Sequence, residues 1–486
     1  MLLTGKDYID SIRDDREVWI DGEKVKDVPS HPAFKPMVDI RARVYDMAHE
    51  DAHRDTMTVA ADDGEVCSVS WQPPRTKEDL RAKWRWVDAV MEDIEGVAFR
   101  LGDETIGAVW SLLDGRDLLD SITSDYTPNI ERHIEHAYRS DLFTVSGNTD
   151  PKGDRSRPPQ EQDPDMLLHA VKETDAGIIV RGAKYETAAA YSHQAFVKPT
   201  IANWGDAKMS DYALGFMCPM GAPGLKHICR ASHIRDRSPE DYPSTTRFDE
   251  IDTLLVFDDV LIPWKDVFFY QHTQAAGFIR SMLHRYSALP FVIRILHIAD
   301  LLIGAAMFNA EQTGLDKQPA VREKLATLAA WREGIYAHVL ASIEMAQPSE
   351  SGLMMPHQSM LYAGRIHACT GLPKMMHLAR ELVGGQICIT PDSEAFKGVD
   401  TAPWMDKFYT VNDRWVADDR RKLLAFGRDL VNSDYAGHKV TFQLFAQSPP
   451  FAHLGAVYRN FDFQNAMEFV KGAAGLSDNV MNDGGK

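Results

Sequence analysis

The 486-residue chain is 44% apolar and 26% charged, with 32 Gly and 25 Pro, a globular composition that excludes disordered, fibrous and low-complexity classes. Its length exceeds one compact core and predicts two or three packed regions, since domains run to ~100–200 residues. The 53 basic against 71 acidic residues give a formal net charge of −18, which repels phosphate backbones and anionic lipid and argues against nucleic-acid and membrane partners.

The opening MLLTGKDYIDSIRDDREVW acquires charge within six residues and reads as neither a signal nor a transit peptide, so a cytoplasmic location is expected. Thr76 and Asp79 have the spacing of a capping pair. Leu80, Trp84, Val87, Met91 and Ile94 then recur every three or four residues and predict a helix with one face turned inward. Phe99 and Arg100 follow, with Gly102 and Gly107 loosening the chain beyond them. Arg100 is therefore expected near a helix end or loop, from which an arginine can reach a cavity.

At SGNTDPKGDRSRPPQEQDPD the chain becomes rich in Gly, Pro and Asp, which favours turns and marks a boundary. The runs AGIIVRGAKY, DYALGFMCPM, LKHICRAS and DTLLVFDDVLIPW predict strands of a compact, mostly antiparallel β region. Beyond it, helical periodicity covers roughly 289–313, 319–346, 357–383 and 412–433, interrupted by GGQICITPDSEAFKG. Helices of that length suit a four-helix bundle. The longest unbroken apolar run, 301–308, is too short to span a bilayer. The expected division is a helical region over 1–145, a β region over 146–275, and a helical bundle with oligomerisation surfaces over 276–486.

Cys67, Cys218, Cys229, Cys369 and Cys388 are scattered, with no C-x-x-C pair and no zinc spacing, so reduced thiols and no metal site are expected. The chain contains no G-x-G-x-x-G after a strand, no phosphate-binding loop, no H-E-x-x-H and no G-x-S-x-G. Nothing here announces a nicotinamide site of its own.

Three segments, LTGKDYIDSIRDDREVWIDGEKVKDVPSHPAF, KETDAGIIVRGAK and RFDEIDTLLVFDDVLIPW, together resemble the 4-hydroxyphenylacetate 3-monooxygenase family, and the likeness runs over nearly the whole chain. The resemblance implies an acyl-CoA dehydrogenase-like fold, mainly α with a central β-barrel-like domain and a C-terminal four-helix bundle, assembled as a homotetramer. It implies flavin in a groove between β domain and bundle, partly closed by a neighbouring subunit. The implied activity is that of the oxygenase component of a two-component system. A separate NAD(P)H:flavin reductase supplies FADH2, O2 adds to give a flavin C4a-hydroperoxide, and a small phenolic or N-heteroaromatic ring is hydroxylated.

The same family contains 4-hydroxybutyryl-CoA dehydratases, which TDPKGDRSRPPQEQDPD resembles most. Their iron–sulfur cluster needs a C-x-x-x-C pair and an H-x-x-x-x-x-x-C pair. This chain has Ala98 and Gly102 for the first, and His284 with Phe291 for the second. The alternative implied is therefore a cluster-free flavin-containing lyase or isomerase acting on a CoA thioester.

Carried onto this sequence, the hydroxylase pocket motif Arg-x-Pro-Asp-Tyr keeps Arg100 but has Glu104 in place of Tyr, and Ser146 stands where a His belongs. A substrate other than 4-hydroxyphenylacetate follows. MLHRYSAL resembles the setting of a His in the chlorophenol monooxygenases and assigns His284 to catalysis with Arg100. A neutral imidazole can accept a phenolic proton when a cation stabilises the anion. Family position gives substrate contacts to Arg100, Glu104, Ser146 and His284. It gives flavin contacts to Asp154, Arg155, Ser156, Thr187, Thr390, Pro391 and Ser393, although GAKYETAAAYSH around Thr187 is one residue shorter than in relatives. Without the resemblance, Arg100 reads as a helix-end ion pair and Asp154–Arg155 as a local loop pair.

Overall fold

The computed structural model describes residues 2–154, 156–157, 161–199, 207–282, 284–446 and 448–477. In the first region, the helix Lys77–Asp93 begins where Thr76 accepts from the Asp79 N–H and the Asp79 carboxylate returns to the Thr76 N–H. That reciprocal pair satisfies donors that a helix start leaves bare. Leu80, Trp86, Val87, Val90 and Met91 bury its inner face, and half-buried Trp84 rests on Tyr336 of a bundle helix with ring centroids 5.3 Å apart.

A six-stranded sheet runs in the order Glu23–Lys24, Glu17–Ile20, Leu225–Cys229, Asp252–Pro263, Gly177–Thr187, His169–Thr174. All neighbours are antiparallel except Glu17–Ile20 beside Leu225–Cys229. The first region is thus not purely helical, because residues 17–24 donate two strands to the central sheet. Those strands, of four and two residues, are too short to show an alternation in sequence. A second sheet has the order Val267–Phe269, Gly215–Pro219, Gln194–Val197, Thr144–Gly147, with the last pair parallel.

The bundle is built from His284–Thr313, Pro319–Glu344, Gln358–Val383 and Ala417–Asn432. The first of these packs on the next two and on Asp103–Leu113 of the N-terminal region. By length and composition Arg285–Thr313 is apolar enough to cross a membrane, which the unbroken 301–308 run did not reveal. Here it is the helix around which the bundle is assembled. Two helices further on, Ala402–Tyr409 and Phe463–Ala474, bury none of their residues, and Phe451 and Tyr458 of the helix Pro450–Asn460 and Phe469 are 70%, 70% and 80% exposed.

Candidate active site

Arg100 lies in the connection between the helices Lys77–Asp93 and Asp103–Leu113, where the N-terminal region, the central sheet and the bundle meet. Its backbone is clamped from several sides. The N–H groups of Phe99 and Arg100 donate to Glu250 Oε1 at 2.8 and 2.6 Å, and Lys439 pairs with the other Glu250 oxygen. Arg294 donates to the Phe99 carbonyl at 2.7 Å, reaches Glu104 Oε2 at 3.4 Å and pairs with Asp103. Gly102 turns the chain at φ +97° and donates to Glu104 Oε2 at 3.0 Å. A Cβ at Gly102 would overlap the Trp71 indole, so the turn needs glycine both for its dihedral and for its space.

The Arg100 guanidinium sits 5.6 Å from the ring centroids of Phe291 and of Phe442. With Phe99 these rings form an apolar platform, centroids 5.8 to 6.1 Å apart. Phe291 therefore fills with an aromatic ring the place where a cluster-binding thiolate would stand.

Two carboxylates flank the cation: Glu104 Oε1 at 3.6 Å and Glu186 Oε1 at 3.5 Å. Both contacts are ion-pair distances beyond good hydrogen-bond range. Among the described residues, Arg100 Nε, Glu104 Oε1 and Glu186 Oε1 have no hydrogen-bond partner, although the residues are only 8%, 0% and 3% exposed. Buried polar atoms left unpaired are costly, and three together mark a place that a ligand's polar groups complete. Burial pushes the Glu186 carboxyl up to about 7 against the pull of Arg100. Burial likewise raises Glu104 above the usual carboxylate range, helped by Asp103 and opposed by Arg294 and Arg100. Burial disfavours the Arg100 charge, but Glu186 and Glu104 outweigh it and the guanidinium stays cationic.

Ser146 joins this cluster from the strand Thr144–Gly147. Its hydroxyl accepts from Lys198, which follows the neighbouring strand Gln194–Val197, and its backbone favours the charged form of the Glu186 carboxylate. Lys198 is 2% exposed, and burial pulls its ammonium down to about 7, with Glu186 opposing. Thr187 adjoins Glu186 in the strand and donates to Asp252 Oδ1 at 2.6 Å; Asp252 also holds His438 and Arg230.

Four sequence-assigned residues, Arg100, Glu104, Ser146 and Thr187, are thus brought into one network. Asp154 and Ser156 are elsewhere, in an exposed loop where the Ser156 N–H and hydroxyl both bond Asp154 Oδ1, at 3.0 and 2.7 Å. Arg155 lies outside the described residues. His284 opens the helix that carries Phe291 and Arg294, and its side chain is also outside the described residues. Thr390 turns its hydroxyl onto the Gln386 carbonyl at 2.8 Å. Ser393 spends both donors on Asp241, at 2.9 and 2.8 Å, and Pro391 is half-buried between them.

Glu186, Lys198, Arg294, Glu250 and Lys439 were not anticipated from sequence. For Glu186 a signal existed. Alternation along Gly177–Thr187 buries residues 178, 180, 182, 184 and 186, so an inward parity that begins with Ile178 and Val180 ends on Lys184 and Glu186. Ionisable residues on a buried parity break the pattern.

The family model described as 4-hydroxyphenylacetate 3-hydroxylase N terminal matches residues 4–269, and its C-terminal counterpart matches residues 274–475. The chain belongs to the 4-hydroxyphenylacetate 3-hydroxylase family. It is 27% identical to the 4-hydroxyphenylacetate 3-monooxygenase oxygenase component of Thermus thermophilus, with 97% of each chain covered. It is 29% identical to the 4-nitrophenol 2-monooxygenase oxygenase component of a Rhodococcus species, covering 91% of this chain and 85% of that one. The solved oxygenase component of 4-hydroxyphenylacetate 3-monooxygenase complexed with FAD and 4-hydroxyphenylacetate superimposes with TM-score 0.89 at 26% identity, over 97% of this chain and 98% of that one. The architecture expected from the family resemblance, a helical N-terminal region, a β-rich middle and a C-terminal helical bundle, is the one observed, and it is shared with that solved oxygenase component.

The residues present suit the flavin of this family. Behind the turn at 390–393 stand Arg421, 3.8 Å from Asp241, and Arg428, 3.6 Å from Asp392. Asp241, Asp392, Asp418 and Glu240 hold these two guanidiniums, and among the described residues Arg428 keeps one unbonded donor, Nε, for a phosphate oxygen.

Proposed function

We propose that this family member is the oxygenase component of a two-component monooxygenase, using FADH2 and O2 to hydroxylate a small phenolic or N-heteroaromatic ring. The observation that carries the reading is Arg100, a buried cation on a phenylalanine platform with unsatisfied polar atoms around it. A ring needs such a setting to become electron-rich by losing a proton. Bound reduced flavin would activate dioxygen and supply the oxygen atom; the protein's residues bind, orient and ionise the ring and keep water out.

In this reading Arg100 stabilises the phenolate, and His284, Glu104 and Ser146 touch substrate beside it. Asp154, Arg155, Ser156, Thr187, Thr390, Pro391 and Ser393 hold FAD. The 390–393 turn bonds Gln386, Asp241 and Arg428 and none of the Arg100 network among the described residues; in this reading its contribution comes from a neighbouring subunit of a homotetramer. The exposed Phe451, Tyr458 and Phe469 supply apolar surface for that assembly. The chain divides at about 145 and 275 into its three regions, works in the cytoplasm, and receives reduced flavin from a separate NAD(P)H:flavin reductase.

Glu104 stands in place of the Tyr of the hydroxylase pocket motif and Ser146 in place of its His, so 4-hydroxyphenylacetate is disfavoured as the substrate. With an added reductase, NADH and FAD, a screen of phenols and hydroxypyridines is expected to give hydroxylated product with matching oxygen consumption. Isomerisation of vinylacetyl-CoA, with no oxygen-dependent product from any ring, would favour the CoA-thioester lyase or isomerase instead.

A further inference from the structure

Of the groups in the Arg100 network, Lys198 stands out. A buried lysine is usually met by a carboxylate, as neighbouring Lys184 is by Asp150. The Lys198 ammonium is instead held, among the described residues, by the Ser146 hydroxyl, with the Phe196 ring 4.8 Å away. The parallel pairing of Thr144–Gly147 with Gln194–Val197 fixes this arrangement, because the Lys198 N–H donates to the Gly147 carbonyl at 3.2 Å and carries the ladder one step past the strand end. The Ser146 backbone in turn favours the charged form of Glu186, whose carboxylate is 3.5 Å from Arg100. Serine and lysine thus form a hydroxyl–amine pair that leads into the cluster around the unsatisfied guanidinium.

We propose that Lys198, acting through the Ser146 hydroxyl, takes up the proton of the substrate's ring hydroxyl, the duty that family position gives to His284. The inference rests on the reading of this site as a phenol pocket. The phenolic O–H bond breaks and its electron pair stays on the ring oxygen beside Arg100. The proton passes to Ser146 Oγ while the serine's own proton passes to the lone pair of Lys198 Nζ. No oxidant is involved in this step. A serine alone has neither the basicity nor a second charge state for it; a lysine kept neutral by its surroundings has both. Burial is the largest influence on Lys198 and lowers it to about 7, Glu186 favours its charge, and Arg100 and Lys184 oppose it. Around neutral pH the amine is therefore available as a base.

The test uses 4-nitrophenol as a probe, because its phenolate absorbs visibly, with the full-length protein and no turnover. Bound probe is titrated on the wild type, Lys198→Met, Ser146→Ala and His284→Ala, and FAD affinity is measured for each as a control on the fold. The expected result is an apparent pKa of the bound probe at least one unit higher in Lys198→Met. Ser146→Ala should shift in the same direction, His284→Ala should stay within a few tenths of wild type, and FAD affinity should change by less than twofold throughout. An unchanged probe titration in Lys198→Met, or a large shift confined to His284→Ala, overturns the assignment. Failure of the wild type to bind 4-nitrophenol or any other phenol removes the phenol-pocket reading itself, and the relay with it.

Discussion

Arg100 has two carboxylates within ion-pair distance and hydrogen-bonds neither, which makes its electrostatic role separable from its packing. Replacing Arg100 with Ala should lower product formation ~10²–10³-fold, the usual effect of deleting one group that stabilises developing charge. FAD affinity, read by fluorescence quenching, should hold; loss of FAD binding in step with activity would make the residue structural. Lys198 gives a stability prediction of definite sign. Its folded value of about 7 lies below the ordinary lysine value of 10.5, so between the two the unfolded chain binds more protons and stability rises with pH. The cost of burying the charge is complete below about pH 7 and vanishes above the unfolded value. Lys198→Met should therefore raise the urea midpoint most in acid, and its advantage over wild type should shrink as pH climbs from 7 towards 10. A constant difference across that window would contradict the assigned titration.

At the scale of elements, the site depends on a turn and a stack. Gly102→Ala must place a side chain at φ +97° against Trp71, and a dihedral strain of this kind costs about 1–3 kcal/mol before the clash is counted. Phe291→Ala removes one of the three mutually packed rings of the Phe99–Phe291–Phe442 platform and should destabilise by about 3–5 kcal/mol. Thermal or urea unfolding checks both. The helices of the bundle were visible in the sequence: the periodic segments 289–313, 319–346, 357–383 and 412–433 correspond to His284–Thr313, which carries Phe291, Pro319–Glu344, Gln358–Val383 and Ala417–Asn432. So were the longer strands, since Asp252–Pro263 and Gly177–Thr187 each carry a long alternation. The donated strands at 17–24 were not, because six residues hold too little pattern. The site was half legible. Arg100, Glu104 and Ser146 came from family position and the buried parity of Gly177–Thr187 signalled Glu186, whereas Lys198 meets Ser146 only through the pairing of Thr144–Gly147 with Gln194–Val197, strands well separated in the chain that no local periodicity brings together.

For the molecule as a whole, the exposed aromatic residues of the last helices are the feature a lone chain explains least. A helix such as Phe463–Ala474, with nothing buried, is too short to be stable alone in water. Burying its Phe469, together with Phe451, against neighbouring subunits supplies the missing stabilisation. The double variant Phe451→Asp, Phe469→Asp should lower the oligomeric state in sedimentation velocity and weaken FAD binding at least tenfold, since the 390–393 turn would no longer be presented to a neighbour's site. An unchanged assembly would remove the shared-site proposal. The central claim concerns the origin of the oxygen atom, and a single turnover tests it directly. Protein loaded with anaerobic FADH2 and 4-nitrophenol, or the best phenol from the screen, is mixed with ¹⁸O2 and the product weighed by mass spectrometry. One ¹⁸O atom in the new ring hydroxyl is the predicted result; product carrying oxygen from water, or flavin reoxidation with no hydroxylated ring from any phenol or hydroxypyridine, would contradict it.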